Sequence, residues 1–191
     1  MGRMTTPNDV LTFWFADRSH PERELHRDEW FDQDPEFDAE IERRFGSDVE
    51  AAIAGGFSEW EFSADGMLAL ILMLDQFTRN MHRSTARAFE GDRRALALAK
   101  AAIDKGFDQQ VSPIERQFFY MPFEHSEDLT DQDKCCSLTA TLKDPELSDY
   151  AERHRAIIRR FGRFPHRNHA LGRISTSDEV EFLKTPGSSF W

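Results

Sequence analysis

Cysteine is nearly absent from the sequence. The 191 residues include two cysteines, Cys135 and Cys136, and they are adjacent. Neighbouring cysteines do not form a routine disulfide, and their spacing is not one that clamps a metal ion. We therefore predict two reduced thiols, at least one of them packed as a small hydrophobic side chain.

Positive charge is also scarce, and long apolar runs are missing. The chain has 24 Lys and Arg against 35 Asp and Glu, a formal net charge of −11. A surface with this charge repels a phosphate backbone, which excludes general nucleic-acid binding. No window approaches the roughly 18 apolar residues of a membrane span, and no apolar run precedes Val10. We expect a cytoplasmic protein with neither a nucleic-acid nor a membrane partner.

The sequence also lacks the motifs that identify a particular reaction or cofactor. The chain has no zinc-protease His-Glu-x-x-His, no phosphate-binding Gly-x-x-x-x-Gly-Lys loop, no Gly-x-Ser-x-Gly nucleophile turn and no dinucleotide fingerprint. A Glu-x-x-His pair for a di-iron bundle is absent too. We therefore predict no cofactor, and no motif assigns a reaction.

Large aromatic rings dominate what is present. The 17 Phe and 4 Trp outnumber the 2 Tyr, and 39% of the residues are hydrophobic. That content is enough for one sizeable core packed by rings, and the length fits one domain. We predict a single domain over residues 1–191.

Helix-start signals recur along the chain and indicate an all-α fold. A capping residue followed by proline occurs at Thr6-Pro7, Asp34-Pro35, Ser112-Pro113 and Asp144-Pro145. Residues 67–74 are apolar on every side, which predicts a central buried helix. No stretch alternates like a strand. We predict about seven or eight helices in antiparallel pairs, without a sheet.

Three polar segments stand out against this apolar background: 75–83, 115–127 and 160–168. The last compresses four basic side chains and two phenylalanines around a Gly and a Pro, which indicates a basic turn that faces something anionic. We predict that the three segments converge on one polar pocket. The predicted catalytic residues are His125, Glu124 and His166, and the predicted ligand-binding residues are Arg79, Asn80, Arg83, Tyr120, Glu127, His154, Arg163, Arg167 and Asn168.

Four interpretations of these residues remain open. In the first, the pocket binds a small anionic molecule through its arginines, with His125 or His166 moving a proton and Glu124 or Glu127 orienting it. In the second, a groove receives an acidic peptide. In the third, His125, Glu127 and His166 hold the metal of a hydrolase.

The fourth interpretation gives these residues a structural role only. The arginines and carboxylates would then form an ion network, with Asp75 and Arg79 as an ordinary pair one helical turn apart. His154 would be a satisfied core histidine on an apolar helix face.

The same segments carry a resemblance to a known family. The motifs are Val-Leu-x-Phe-Trp-Phe at 10–15, Leu-Asp-Gln-Phe-x-Arg-Asn at 74–80, Thr-Ala-Arg-Ala-Phe at 85–89, Glu-Arg-x-Phe-x-Tyr-Met-Pro-Phe-Glu-His-Ser-Glu at 115–127, and Arg-Phe-Gly-Arg-Phe-Pro-His-Arg-Asn at 160–168. With these motifs the chain resembles the bacterial family catalogued as domain of unknown function 924. The resemblance implies an all-helical fold similar to tetratricopeptide repeats and no established activity. Thr78 departs from it, since the family's usual residue there is Pro.

Overall fold

The computed structural model describes residues 4–189, and no β-strand occurs in that range. The α-helices are α1 (Pro7–Phe15), α2 (Pro35–Ile53), α3 (Ala64–Ile71), α4 (Thr78–Met81), α5 (Asp92–Asp104), α6 (Pro113–Glu124), α7 (Leu129–Thr139), α8 (Pro145–Phe161) and α9 (Ser177–Phe182). A π-helical turn, Leu72–Phe77, joins α3 to α4, so that eight continuous helices result. The predicted all-α class and helix count are confirmed.

The capping signals begin the helices where the sequence indicates. Thr6 and Ser112 form capping boxes, in which the side chain and the residue three positions later bond each other's backbone N–H. Asp34 and Asp144 accept hydrogen bonds from two backbone N–H groups each. These bonds satisfy donors that the first turn of a helix leaves open. Pro122 lies inside helix α6 and does not end it, since the helix continues for two more residues.

The central helix carries the core. Every residue from 66 to 78 is buried, and α3 packs against α1, α5 and α6. Rings gather at one side of it, where Trp14 stacks on Trp30 with centroids 5.9 Å apart and also contacts Phe77 and Phe118. Helices α5 to α8 follow as sequential neighbours. No helix within residues 4–189 has the length and apolarity to cross a membrane.

The π-helical turn is the feature that helix periodicity does not predict. At this point the Thr78 hydroxyl donates to the carbonyl oxygen of Leu74 over 2.9 Å, a bond that proline has no group to make. A π-helical turn widens the helix by one residue and often marks a functional segment. Here it contains Asp75 and Gln76, two buried polar residues.

A glycine permits close packing against this turn. A Cβ atom on Gly91 would lie 2.1 Å from the Leu74 carbonyl oxygen, and a backbone atom has little room to yield. We expect Gly91→Ala to lower the free energy of unfolding by about 1–3 kcal/mol, measured by urea denaturation. Gly46→Ala is the control, since its Cβ would meet Met81 at an ordinary 3.6 Å. That change inside α2 should stabilise by about 0.5–1 kcal/mol. Equal stabilities of the two variants would contradict the close approach.

Candidate functional site

A cavity of roughly 630 Å³ opens beside the central helix. Its walls are the connection around Trp30, the π-helical turn with α4, and one side each of α6, α7 and α8. Seven of the predicted site residues line it: Arg79, Asn80, Arg83, Tyr120, Glu124, His125 and His154. Two of the three predicted segments, 75–83 and 115–127, therefore meet at this cavity.

His125 and Asp75 form a hydrogen-bonded dyad at the inner end of the cavity. His125 is the C-cap of α6, and its Nδ1 lies 2.7 Å from Oδ1 of Asp75. An ionised carboxylate only accepts hydrogen bonds, so the His125 proton lies on Nδ1 and leaves Nε2 as an acceptor. The side chain of His125 is 13% exposed, whereas that of Asp75 is 1% exposed. The histidine is thus the member of the dyad that meets the cavity.

Asp75 is held ionised by its neighbours. Burial alone would raise its pKa, but the charge of Arg79 and the hydrogen bonds from His125 and Gln76 bring the pKa below its usual range. Nη1 of Arg79 lies 3.2 Å from Oδ1, and Nε2 of Gln76 donates to Oδ2 over 2.6 Å. Asp75, and not Glu124 or Glu127, therefore orients His125. Asp75 does form the intrahelical pair with Arg79, but that pair is one of several contacts of its carboxylate.

His125 is neutral near pH 7. Burial and the positive charge of Arg79 lower its pKa, and the Asp75 carboxylate opposes them only in part. A neutral imidazole with a fixed tautomer and an accessible Nε2 is the form that accepts a proton.

Glu124, the residue before His125, also lines the cavity. Burial, together with the nearby Asp75 carboxylate, raises the pKa of Glu124 to about 8, so the group is a protonated carboxylic acid at neutral pH. No group in the described range 4–189 donates a hydrogen bond to its carboxyl oxygens. A buried carboxyl on a cavity wall with its O–H available is a proton donor.

His154 completes this end of the cavity. Its Nδ1 donates to the backbone oxygen of Tyr150 over 2.9 Å and lies 3.7 Å from Oε1 of Glu124. Burial brings its pKa well below the ordinary value, and the Tyr150 hydrogen bond opposes this only in part. Its ring centroid lies 6.5 Å from that of His125. His154 is therefore both a buried histidine of the core and a cavity wall.

The arginines of the cavity are paired with carboxylates. Arg79 donates to both oxygens of Asp92, over 2.7 and 3.0 Å. Arg83 and Asn80 share Asp38, to which they donate over 2.9 and 2.7 Å. These pairs neutralise most of the positive charge that the sequence places here, so the arginines alone do not make the cavity strongly attractive to anions.

Tyr120 also has a carboxylate as its hydrogen-bond partner. Its hydroxyl donates to Oδ2 of Asp108 over 2.9 Å, and burial together with that carboxylate raises its pKa to about 12. Tyr120 shapes the wall without taking part in proton transfer at neutral pH.

Four predicted ligand-binding residues do not line the cavity, and three of them have other partners in the fold. Arg163 donates to both carboxylate oxygens of Glu179, over 2.7 and 2.8 Å. Asn168 bonds Ser175 and the same Glu179. Glu127 accepts two hydrogen bonds from Arg173, and a third from the backbone of the basic turn. These residues form an ion network like that of the fourth, structural interpretation, because their partners lie on α9 and in the segment before it.

The other end of the basic turn comes close to the cavity without lining it. Nη1 of Arg167 lies 3.5 Å from Oδ2 of Asp92, the carboxylate that also holds Arg79. The ring of Phe164 contacts His154, with centroids 5.6 Å apart. Burial and the neighbouring charge of Arg167 lower the pKa of His166 to about 3, so that histidine carries no charge at neutral pH. The third segment thus forms the layer behind the cavity wall.

The proposed metal ligands do not form a metal site. Among residues 4–189, no three His, Cys, Asp or Glu side chains are grouped so that they could hold an ion. His125 is bonded to Asp75, and Glu127 to Arg173. Cys135 lines the cavity but is buried, and burial raises the pKa of its thiol. It is a reduced wall residue, not a nucleophile.

Comparison with known proteins gives a family and a related structure. The model of a family described as bacterial protein of unknown function (DUF924) matches residues 10–187. A solved structure of a protein of unknown function from Agrobacterium tumefaciens is 40% identical, with a TM-score of 0.85. The alignment covers 93% of this chain and 96% of that one. No curated protein matches. The fold is shared with this relative, and neither comparison supplies an activity.

Proposed function

We propose an activity for this chain, which belongs to the bacterial DUF924 family of unknown function, on the basis of its cavity alone. The cavity binds a small organic molecule, and His125 and Glu124 transfer protons on it. The observation that carries the proposal is the Asp75–His125 hydrogen bond of 2.7 Å, with the histidine on the cavity wall next to a protonated Glu124. The two groups have pKa values moved in opposite directions by their surroundings, which is the arrangement that acid–base catalysis requires.

The roles of His125 and Glu124 follow from their protonation states. Nε2 of His125 accepts a proton, either from a water that attacks the substrate or from the substrate itself, and Asp75 stabilises the imidazolium that forms. Glu124 donates its proton to the oxygen or leaving group on which negative charge develops. After the product has left, His125 releases its proton to solvent water and Glu124 takes one up from it, which restores both groups.

The dimensions and lining favour a small amphipathic molecule. A volume of roughly 630 Å³ lies within the range of small-molecule pockets, about 300–1,000 Å³. Trp30, Phe31 and Met121 supply apolar surface, and His125 and Glu124 are among the polar side chains of the lining. A molecule with an apolar body and one polar group fits this lining.

An acidic peptide fits the cavity less well. Three further acidic residues line it, Asp28, Asp144 and Glu146, and like charges repel. The tetratricopeptide-like alternative, in which an acidic peptide lies in a groove, therefore ranks below the small molecule.

The test replaces His125 by asparagine, whose amide nitrogen can still donate to Asp75 but which lacks a basic atom. We expect turnover to fall by about 10²–10⁴ while the melting temperature changes little. A panel of carboxylic esters, thioesters, lactones and phosphate monoesters serves to find turnover in the wild type. His20→Asn, an exposed position outside the cavity, is the control and should keep wild-type rates.

A measurement without substrate checks the same assignment. Nitrogen-15 NMR of the histidine side chains should show His125 neutral at pH 7, with its proton on Nδ1. An imidazolium, or a proton on Nε2, would contradict the proposed base. If the wild type turns over nothing in the panel, proton-transfer catalysis on these four substrate classes is excluded.

A further inference from the structure

Three amide side chains in the cavity wall have their nitrogen atoms fixed and their oxygen atoms open: Gln76, Asn80 and Gln117. Nε2 of Gln76 and Nδ2 of Asn80 each donate to a carboxylate, over 2.6 and 2.7 Å. Nε2 of Gln117 donates to a backbone carbonyl oxygen of its own helix over 3.0 Å. An ionised carboxylate and a carbonyl only accept hydrogen bonds, so the NH₂ group of each amide faces the protein. The amide oxygens are the polar atoms that remain.

These oxygens are acceptors without a donor, and they are open to the cavity. No group in residues 4–189 donates a hydrogen bond to them, although each of the three residues is no more than 5% exposed. None of these oxygens is among the atoms that are both unpartnered and closed to solvent, unlike Oε1 of Gln132, a residue that does not line the cavity. Because all three amides line the cavity, a molecule in it reaches their oxygens.

The amides lie along the cavity wall that also carries the proposed base. Nε2 of Gln76 is 3.5 Å from Sδ of Met121, which is one helical turn beyond Gln117 on the same face of α6. His125 follows one turn later on that face, which places its backbone about 12 Å from that of Gln117. Asn80 lies on α4, which continues directly from the π-helical turn that contains Gln76. A small molecule therefore spans the distance between the amides and the base.

The opening of the cavity is negatively charged. Asp28, Asp144 and Glu146 line the cavity and are exposed, and within residues 4–189 none of them forms an ion pair with Lys or Arg. Arg79 and Arg83, in contrast, each have a carboxylate that balances their charge. Unbalanced carboxylates at the opening raise the local concentration of cations and lower that of anions.

We propose that the molecule bound in this cavity is a protonated organic amine, whose ammonium group donates hydrogen bonds to the amide oxygens of Gln76, Asn80 and Gln117. An alkylammonium has three N–H donors and no acceptor, which suits oxygens that lack a donor in the fold. This assignment rests on the proposed function for the claim that the cavity binds a small organic molecule, and it names the class of that molecule. The sequence favours an anion instead, because it shows the arginines without their carboxylate partners.

Three probes with a similar apolar body and different charges test this assignment. They are 2-phenylethylamine, which is a cation at pH 7, 2-phenylethanol, which is neutral, and 3-phenylpropanoate, which is an anion. Calorimetric titration at constant ionic strength measures the affinity of the full chain for each. We expect the amine to bind saturably and at least about tenfold more tightly than either of the others, since its hydrogen bonds are charge-assisted.

Two variants locate the interaction. Gln117→Met keeps the length of the side chain and removes its oxygen, so we expect it to weaken binding of the amine by about tenfold. Glu146→Gln removes one exposed charge at the opening and should weaken binding about twofold to fivefold at low salt, with a smaller effect at high salt. Asp149→Asn is the matched control for Glu146→Gln, because Asp149 is exposed on the same helix and does not line the cavity. It should bind the amine as the wild type does.

Several results would overturn the assignment. They are no saturable binding of the amine, equal or tighter binding of 2-phenylethanol or 3-phenylpropanoate, and wild-type affinity for the amine in Gln117→Met. If Gln117→Met does not fold, Gln117→Glu takes its place. A carboxylate at that position should tighten amine binding, and unchanged affinity contradicts the proposal.

The outcomes also separate this proposal from the proton-transfer proposal. His125→Asn should bind the amine normally, so a failure of catalysis leaves this result unaffected. Binding of the alcohol or the acid in preference to the amine would remove the amine assignment and leave the roles of His125 and Glu124 standing.

Discussion

Replacing Asp75 by asparagine is expected to lower the free energy of unfolding by about 3–5 kcal/mol. The change keeps the shape of the side chain and removes one buried charge. Arg79, His125 and Gln76 all bond that carboxylate, and the amide offers one acceptor oxygen in place of two. Arg79 keeps its hydrogen bonds to Asp92, but the buried donors of His125 and Gln76 lose a charged acceptor, so the loss exceeds that of a surface pair.

The same substitution should disturb the base. Asp75 raises the pKa of His125, so its removal lowers that pKa further, and an amide NH₂ can turn the tautomer so that the proton lies on Nε2. Urea denaturation measures the stability, and nitrogen-15 NMR measures the tautomer. Asp65→Asn is the control, since its pair with Arg18 is about half exposed on both sides and should change stability by less than about 0.5 kcal/mol. If Asp75→Asn lowers the free energy of unfolding by less than about 1 kcal/mol, Asp75 is not a buried ionised carboxylate stabilised by its neighbours.

The sequence was sufficient for the fold because its signals are local. A cap followed by proline begins a helix whatever surrounds it, and four such pairs begin four of the helices at the expected residues. The run at 67–74, which is apolar on every side, is buried as predicted. The resemblance to the DUF924 family is confirmed over residues 10–187. The π-helical turn was not predictable, because widening a helix by one residue changes its hydrogen bonds without requiring a distinctive residue.

The site was predictable only in part because pairing is a tertiary property. His125 and Glu124 were predicted as catalytic residues within the polar segment 115–127, and both line the cavity. Arg163 looked equivalent to Arg167 in the sequence, yet Arg163 donates two hydrogen bonds to Glu179, whereas Arg167 makes a 3.5 Å ion pair with Asp92. Only the position of Glu179 on α9 separates them. A charge count cannot show which arginine a distant carboxylate will satisfy.

Asp75 illustrates the opposite error. One interpretation made it an ordinary intrahelical partner of Arg79, and Asp75 was not among the predicted catalytic residues. A signal was available: the carboxylate follows eight apolar residues, and an ionised group at the end of a buried helix needs several partners. Burial, not spacing, was the informative property. The same reasoning identifies Gln76, which supplies one of those partners.

Glu124→Gln is expected to change how stability depends on pH by a free energy on the order of 5 kcal/mol. The pKa of Glu124 is raised from 4.5 to about 8, and one pH unit corresponds to about 1.4 kcal/mol. The folded pKa lies above the unfolded one. Below about pH 4.5 the carboxyl is protonated in both the folded and the unfolded state, so it does not change the free energy of unfolding. Between there and about pH 8 the unfolded chain ionises and the folded protein does not, so the free energy of unfolding falls steadily. Above about pH 8 this loss is complete.

Glutamine has the same shape and stays neutral at every pH, so the variant lacks this loss. The difference in free energy of unfolding, variant minus wild type, should therefore rise from pH 5 to pH 8 and level off above it. Other titrating groups, including Asp75, are present in both proteins and largely cancel in the difference. Urea denaturation at one-unit steps from pH 5 to pH 9 measures it, with the exposed Glu181→Gln as a control that should give a flat difference. A flat difference for Glu124→Gln as well would mean that Glu124 is ionised at neutral pH, and the proton donor of the proposed reaction would have to be another group.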